Sequence, residues 1–392
     1  MHNEYSEVQI DFVGDITCDR PMLKAARSED GKYNFDKSFE NIKKILSSAD
    51  CVVGNLETVF AGEKAGYNPG KFSYNSPDEL CKTLSDVTDK KLILTTANNH
   101  CLDCGKSGVS RTLHLMRQYE IASTGTYEPE SKKNYHIEEI HGIRFGIISF
   151  TACMNQRENG FSHSKSEMAM VNSLTNVNYF SWKKIAKIIG KYILKLTEQG
   201  KENTGNIAPL IKPRKDDYDI PKRDMPMIYQ AIKTLETAKR ECDFVILCVH
   251  SGGQFNEEPG QYTKKLIGQL KTYADLIICN HPHVIQKIEV KNNKLIAYSL
   301  GSLNMSPSAD YVNFEYLPQY SLVLSVKIRK DHKTGNIKME DVTARVLKTI
   351  EDKNHYLFIC DCQQLMDHCQ GKERIKLEED LRILYNRIGI TL

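Results

Sequence analysis

Short apolar runs rich in β-branched residues recur along this chain, and stretches of helical periodicity separate them. The runs are "VQIDFVG" from residue 8, "CVVGN" from 51, "KLILTTA" from 91, "RFGIISF" from 144, "FVILCVH" from 244, "DLIICN" from 275 and "LIAYSL" from 295. They are too short for helices and apolar on both faces, as strands buried between two layers are. Between them, "SFENIKKILSSAD", "SPDELCKTLSDVT", "GVSRTLHLMRQYE" and "YTKKLIGQLKTY" read as helices. Ser76 before Pro77, followed by Asp78 and Glu79, makes a good helix start. Strand alternating with helix means an α/β protein whose sheets are covered by helices.

At 392 residues the chain exceeds the size at which one core stops growing, so a layered domain with an insertion or an appendage is expected. The alternation breaks across an insertion at 156–224. There, "SLTNVNYFSWKKIAKIIGKYILKLTEQG" puts Ile185, Ile188, Ile189, Tyr192 and Leu196 on one helix face and Lys184, Lys187, Lys191 and Lys195 on another. An inserted helix with a solvated lysine face is the plainer reading; a basic lid or membrane-surface helix is the other. From Tyr320 the pattern alternates polar and apolar, then ends helical. The main domain is therefore placed at 1–326, and an edge hairpin with a C-terminal helical extension at 327–392.

A net charge of +3 is too small to direct the chain to nucleic acid or membrane. The twelve cysteines are scattered, several inside apolar runs, which fits buried free thiols in a reducing compartment. "CLDC" (Cys101, Cys104) and "CDCQQLMDHC" (Cys360, Cys362, His368, Cys369) are read the same way. "MHNEYSEVQIDFVGD" shows no basic and apolar leader, and no apolar stretch reaches the roughly 18 residues that span a bilayer. A soluble, cytoplasmic protein is expected.

The polar residues that end the apolar runs are informative. Asp15, Glu57, the trio Asn98, Asn99 and His100, then His250, and finally Asn280, His281 and His283 each stand at the end of a run. In open α/β sheets the strand C-termini share one rim, where ligands bind. One by one these residues have plain roles: an aspartate after a strand caps a helix, and a lone histidine is hydrogen-bonded structure. Together they form an oxygen and imidazole donor set suited to zinc, iron or manganese rather than calcium. The donors exceed one four-coordinate ion and would serve two ions about 3.5–4 Å apart. Such ions acidify water and neutralise a phosphoryl-like transition state, leaving His100 free to protonate a leaving oxygen.

The segments "FVGDITCDR", "VVGNLETVF", "TTANNHCLDCGKSGVSRTL", "VILCVHSGGQFNEEPGQYTKKLIGQL" and "ADLIICNHPHVIQKIEVKNNKLIAYSLGSL" resemble the successive motifs of the CapA-type poly-γ-glutamate capsule biosynthesis family. That family is a branch of the calcineurin-like metallophosphoesterases, and the resemblance runs from about Val8 to Leu303. It implies a four-layer α/β/β/α sandwich of the metallophosphoesterase type with one or two divalent ions (manganese, iron or zinc). By position, Asp15, Asn99, His250, His281 and His283 are implied metal ligands and His100 a general acid. Thr17 and Asn55 stand where many phosphoesterases carry a histidine and a bridging aspartate, with Glu57 two residues beyond Asn55 as the anionic ligand. Ser251 and Ser302 replace the usual tryptophan and asparagine. Asn55, Thr151 and Asn155 in "SFTACMN", and Arg20 are candidates for substrate contact; a capped strand end (Thr151) and a surface ion pair (Arg20) are the plainer options.

The expected function is a metal-dependent hydrolase of a phosphoester or related bond in a small molecule or anionic polymer. The rival is a non-catalytic accessory of capsule synthesis. It would bind a γ-glutamyl chain or synthetase partners through Lys184–Lys195 and "IKPRKDD".

Overall fold

The computed structural model describes residues 4–70, 73–131, 133–155, 163–176 and 216–389. The chain is an α/β protein with two mixed sheets. The first contains the parallel strands β1 (Tyr5–Ile16), β2 (Cys51–Leu56), β3 (Lys91–Thr95) and β4 (Ala122–Thr124). The second contains β5 (His136–Ile140), β6 (Ile143–Thr151), β7 (Phe244–His250), β8 (Leu276–Asn280), β9 (Ile288–Lys291) and β10 (Lys294–Ala297). The first sheet is completed by antiparallel β11 (Tyr320–Asp331), β12 (Ile337–Glu351) and β13 (Leu357–Asp361). Strand order is β13-β12-β11-β1-β2-β3-β4 in one sheet and β5-β6-β7-β8-β10-β9 in the other.

Side chains of a strand alternate between its faces, and three apolar clusters follow from that. Ile10 and Phe12 of β1, Val53 of β2 and Ile93 of β3 pack with Phe145, Ile147, Ile246 and Ile278 of the second sheet. Their strand neighbours point outward. Val52, Leu56 and Leu94 meet α2 (Asp36–Ile45) and α3 (Asp78–Ser85), and also Leu115 and Met116 of α4 (Gly105–Gln118). On the other side Val245, Leu247 and Ile277 meet α6 (Met225–Glu241) and α7 (Gln261–Leu270). Packing therefore runs helices, sheet, sheet, helices. α3 begins at Asp78, directly after Pro77, with Asp78 and Glu79 in its first turn as the sequence implies.

A register shift in β1 between Phe12 and Asp15 decides which face the rim presents. Strict alternation from Ile10 and Phe12 would send residue 14 inward; the irregularity turns Asp15 inward instead, the usual consequence of a bulge. Backbone crowding fixes the spot. A Cβ on Gly14 would lie 2.0 Å from the Gly301 carbonyl oxygen. Gly301 itself has a φ of +78°, and a Cβ there would meet the Tyr320 carbonyl at 2.6 Å. Asp15 donates its N–H to Gly301 and accepts from Leu303 N–H, locking the end of β1 to the 301–303 loop.

A boundary at 326/327 falls inside β11. Leu322, Leu324, Val326 and Ile328 of that strand all belong to the core between the sheets, and Val326 pairs with Ile10 and Ile328 with Val8. The alternation seen in sequence comes from one face on the core between the sheets and another that is covered at Ser321 and Val323 and reaches solvent at Lys327. The β11–β12 hairpin is not at the edge either, because β13 lies outside it, covered by α2. α8 (Cys362–His368) and α9 (Gly371–Ile388) follow, and Leu377, Leu381 and Leu384 of α9 join the same core.

Part of the expected insertion packs on the body. α5 (Lys165–Met168) starts with a capping box from Ser164 and Glu167, and Val171 and Ser173 bridge to Thr126 and Thr151. The lysine-faced helix over 173–200, from residue 177 on, and most of "IKPRKDD" lie outside the described residues. Among the described residues no helix is long and apolar enough to cross a membrane.

Candidate metal centre

At the C-terminal ends of the strands the inward faces change character. Phe12 gives way to Asp15, Val53 to Asn55 and Glu57, Cys248 to His250, and Ile278 to Asn280, followed by the His281–Pro282–His283 turn. The donors meet. His283 Nδ1 lies 3.0 Å from Asp15 Oδ2 and its Nε2 3.7 Å from Glu57 Oε1. His250 Nε2 lies 3.5 Å from the same Glu57 oxygen and 3.1 Å from His281 Nδ1. The His281 N–H donates to Asp15 Oδ2 at 3.2 Å. Two overlapping sets, Glu57–His281–His283 and Asp15–Glu57–His250, have ligand atoms within 4.8 Å of one another. Among the described residues these are the groupings of metal-ligand side chains.

Glu57 is fully buried, and neither carboxylate oxygen has a hydrogen-bond partner. An ionised carboxylate in that state is costly unless a cation faces it. Burial opposes its ionisation, but His283, His250 and His100 together outweigh that and hold it down at about 2. Burial keeps His281 neutral, reinforced by repulsion from His250 and His283, so its ring nitrogen is available as a ligand. The same burial disfavours a charged His283, yet Glu57 and Asp15 hold it up at about 9. Two carboxylates and three imidazoles with no thiolate could hold a divalent metal ion.

The backbone is bent to make this. His281 has a φ of +108° and His283 one of +58°. Non-glycine residues hold such angles only where surrounding structure over-determines them, at a cost of order 1–3 kcal/mol each. Ser302 assists: its hydroxyl lies 2.8 Å from His283 Nδ1.

Asn99 joins the cluster, its Oδ1 2.7 Å from His250 Nε2. His100 lies beside it, with Nε2 3.9 Å from Glu57 and Nδ1 2.7 Å from Asp103 Oδ2. Burial works against charging that ring, but Asp103 prevails and raises its pKa. Asn155, from the loop after β6, has its amide nitrogen 3.2 Å from His100 Nε2 and accepts from Asn99 at 3.1 Å, so it borders the centre.

Asn55, Thr151 and Arg20, expected to contact substrate, are placed as follows. Asn55 is a buried brace: its amide donates to Asp15 Oδ1 (2.7 Å) and faces His250 Nδ1 (3.3 Å), while its carbonyl accepts from Thr95 and Asn98. No polar valence is left for a substrate. Thr151 caps its own strand end, its hydroxyl donating to the Cys153 carbonyl and accepting from Cys153 N–H. Arg20 is exposed at the start of α1 (Arg20–Ala26), while its neighbour Asp19 is buried as that helix's cap.

Asp103 belongs to the site through its contact with His100 Nδ1, and its three-residue spacing from that histidine is a usable signal in the sequence. Tyr74, whose ring packs 4.4 Å from that of His100, carries none. Its N–H also donates to Asp103 Oδ2 at 2.7 Å. The cysteines are free, with Cys101 and Cys362 buried and Cys104, Cys360 and Cys369 half-buried.

Residues 9–305 match the family model described as bacterial capsule synthesis protein PGA_cap. PGA biosynthesis protein CapA of Bacillus subtilis (strain 168) is 24% identical over 315 residues, covering 79% of this chain and 67% of that protein. Capsule biosynthesis protein CapA of Bacillus anthracis is 22% identical over 326 residues, covering 82% and 65%. The chain thus spans about two thirds of the length of these relatives. Among solved structures, a novel phosphatase from Mycoplasma pneumoniae overlays with a TM-score of 0.43 at 11% identity, covering 88% of this chain and 94% of that one. A hypothetical protein from Thermus thermophilus overlays at 0.41 and 13% identity, covering 87% and 99%. Scores at that level carry no argument about function.

Proposed function

The chain belongs to the bacterial capsule synthesis protein family PGA_cap, and from that premise we propose that it is a metal-dependent hydrolase of the calcineurin-like phosphoesterase class. Its substrate is a phosphoester or related bond in a small molecule or anionic polymer, and capsule synthesis is its pathway. One observation carries the reading: the buried Glu57 carboxylate, without a hydrogen bond, at the meeting point of His250, His281, His283 and Asp15.

Asp15, Glu57, Asn99, His250, His281 and His283 would hold the ion or ions. A bound divalent ion supplies an acidified water and neutralises charge on the reacting group. The chain's own part is positional and protonic. Asn55 keeps Asp15 and His250 in register through its amide. Asp103 takes the Nδ1 proton of His100 into a short hydrogen bond, leaving Nε2–H directed toward the centre for delivery to a leaving oxygen. Asn155 lies where it can hold the substrate beside that ring.

The test is elemental analysis of protein purified without chelator, together with turnover of a generic phosphodiester. His281→Ala should lose both metal and turnover while keeping its fold by circular dichroism. Full activity in that variant would sink the reading. Stoichiometric metal without turnover of any phosphoester would favour the binding accessory instead.

A further inference from the structure

The helix α9 lies wholly beyond the matched residues 9–305, yet it reaches the loops that carry on from the histidines. Leu377, Leu381, Leu384 and Ile388 seat it on the core between the sheets. Arg387, on its last turn, has a side chain only 6% exposed. Its Nη2 pairs with Glu257, and its Nη1 donates to the Ile285 carbonyl at 3.3 Å. Glu257 belongs to the loop that follows His250, and Ile285 stands two residues after His283. The same two loops touch directly: Phe255 N–H donates to the Pro282 carbonyl at 2.8 Å, and Gln286 Nε2 to the Asn256 carbonyl at 2.7 Å.

We propose that Arg387 is a positioning residue for the candidate metal centre, clamping the 251–257 loop to the 281–287 turn so that His250, His281 and His283 converge. The proposal rests on the metal reading given above. A buried guanidinium is expensive to desolvate and persists where its fixed fork of donors is used. Here the fork joins a carboxylate on one loop to a backbone carbonyl on the other, which a lysine's point charge would do poorly. The turn it restrains contains the two positive-φ histidines, so it needs restraint from outside itself. Groups that orient metal ligands in this way are commonly worth about 10–100-fold in metal affinity.

The experiment compares Arg387→Ala, Arg387→Lys and Leu377→Ala in the full chain. Leu377 lies nearly three turns earlier on α9 and shares its core packing, so it controls for loss of the helix's seating. In metal-free protein, amide exchange at Phe255, whose N–H bonds to the Pro282 carbonyl, and at Gln286, whose N–H ties the turn to the Ser299 carbonyl, should speed up at least about tenfold more in Arg387→Ala than in Leu377→Ala. With cobalt(II) as the probe, Arg387→Ala should bind about tenfold or more weakly, with an altered visible spectrum. Arg387→Lys should recover part of that affinity, and Leu377→Ala should keep it. Equal exchange at those amides in Arg387→Ala and Leu377→Ala, or an unchanged cobalt affinity in Arg387→Ala, overturns the clamp. A wild-type chain that takes up no cobalt removes the metal reading instead, and the exchange comparison then decides the clamp alone.

Discussion

Toward the N-terminal ends of the parallel strands, the layer between the sheets is filled by Ile10, Phe12, Val53, Ile147 and Ile246, all apolar and buried. Toward their C-terminal ends the same faces carry Asp15, Asn55, Glu57 and His250, equally buried but charged or polar. The first region gains its stability from close packing. The second holds a buried carboxylate without a hydrogen bond and two histidines at positive φ, features that cost stability where they stand. One end of the layer builds the fold, and the other is held in place by it. Substitutions should therefore separate the two: damage at the apolar end lowers stability and spares metal uptake, while damage at the polar end does the reverse.

The largest expected effect is in the apolar end. Phe12→Ala should destabilise the chain by about 3–5 kcal/mol in denaturant unfolding, with metal stoichiometry unchanged. A loss of metal in that variant would break the separation.

Next comes linkage. At about a hundred times its dissociation constant, an ion that binds only the folded chain adds about 2.7 kcal/mol of stability. That increment should appear in wild type and in Phe12→Ala and vanish in Glu57→Gln. An increment surviving in Glu57→Gln would remove Glu57 from the centre.

The third effect is protonic. With His283 held up at about 9 by Glu57 and Asp15 against burial, the charged ring stabilises the metal-free fold. That contribution is full below the unfolded value of 6.5 and is lost as pH rises through about 9. The same proton must leave before the ring can hold a cation, so about one proton should be released per ion bound near neutral pH. Affinity should then rise about tenfold per pH unit until about 9. Calorimetry in two buffers of different ionisation enthalpy measures the release; a value near zero contradicts the assignment.

The smallest effect sharpens the comparison within the polar end. Ser302→Ala removes one hydrogen bond to His283 Nδ1, worth about 0.5–1.5 kcal/mol, while Asp15 still faces that nitrogen. Metal affinity should fall only several-fold in a competition titration. A collapse comparable to Glu57→Gln would mean that Ser302 sets the ring's orientation alone.

Much of the polar end was legible in the sequence because each donor follows an apolar run, and strand ends converge in this class of sheet. Asp15, Glu57, Asn99, His250, His281 and His283 could be read that way. What periodicity hides is anything set by irregular backbone or by distant partners. The β1 irregularity that turns Asp15 inward leaves no pattern of its own. Asn55 reads as a free polar group and is instead saturated by four neighbours from β1, β3, β7 and the 98–100 loop. Asp103 stands in "NNHCLDCG", but the spacing alone does not show that its carboxylate turns back onto His100 Nδ1. The β11 strand read as an appendage because half its residues are polar; only its pairing with β1 reveals it as part of the central sheet.

The central claim is that Glu57 faces a metal ion. Anomalous diffraction at the manganese edge, from crystals grown with that ion, tests it most directly. A peak is expected within bonding distance of Glu57 and the His250, His281 and His283 nitrogens. A fully soaked crystal with no peak there, and with Glu57 hydrogen-bonded to water or protein instead, would contradict it.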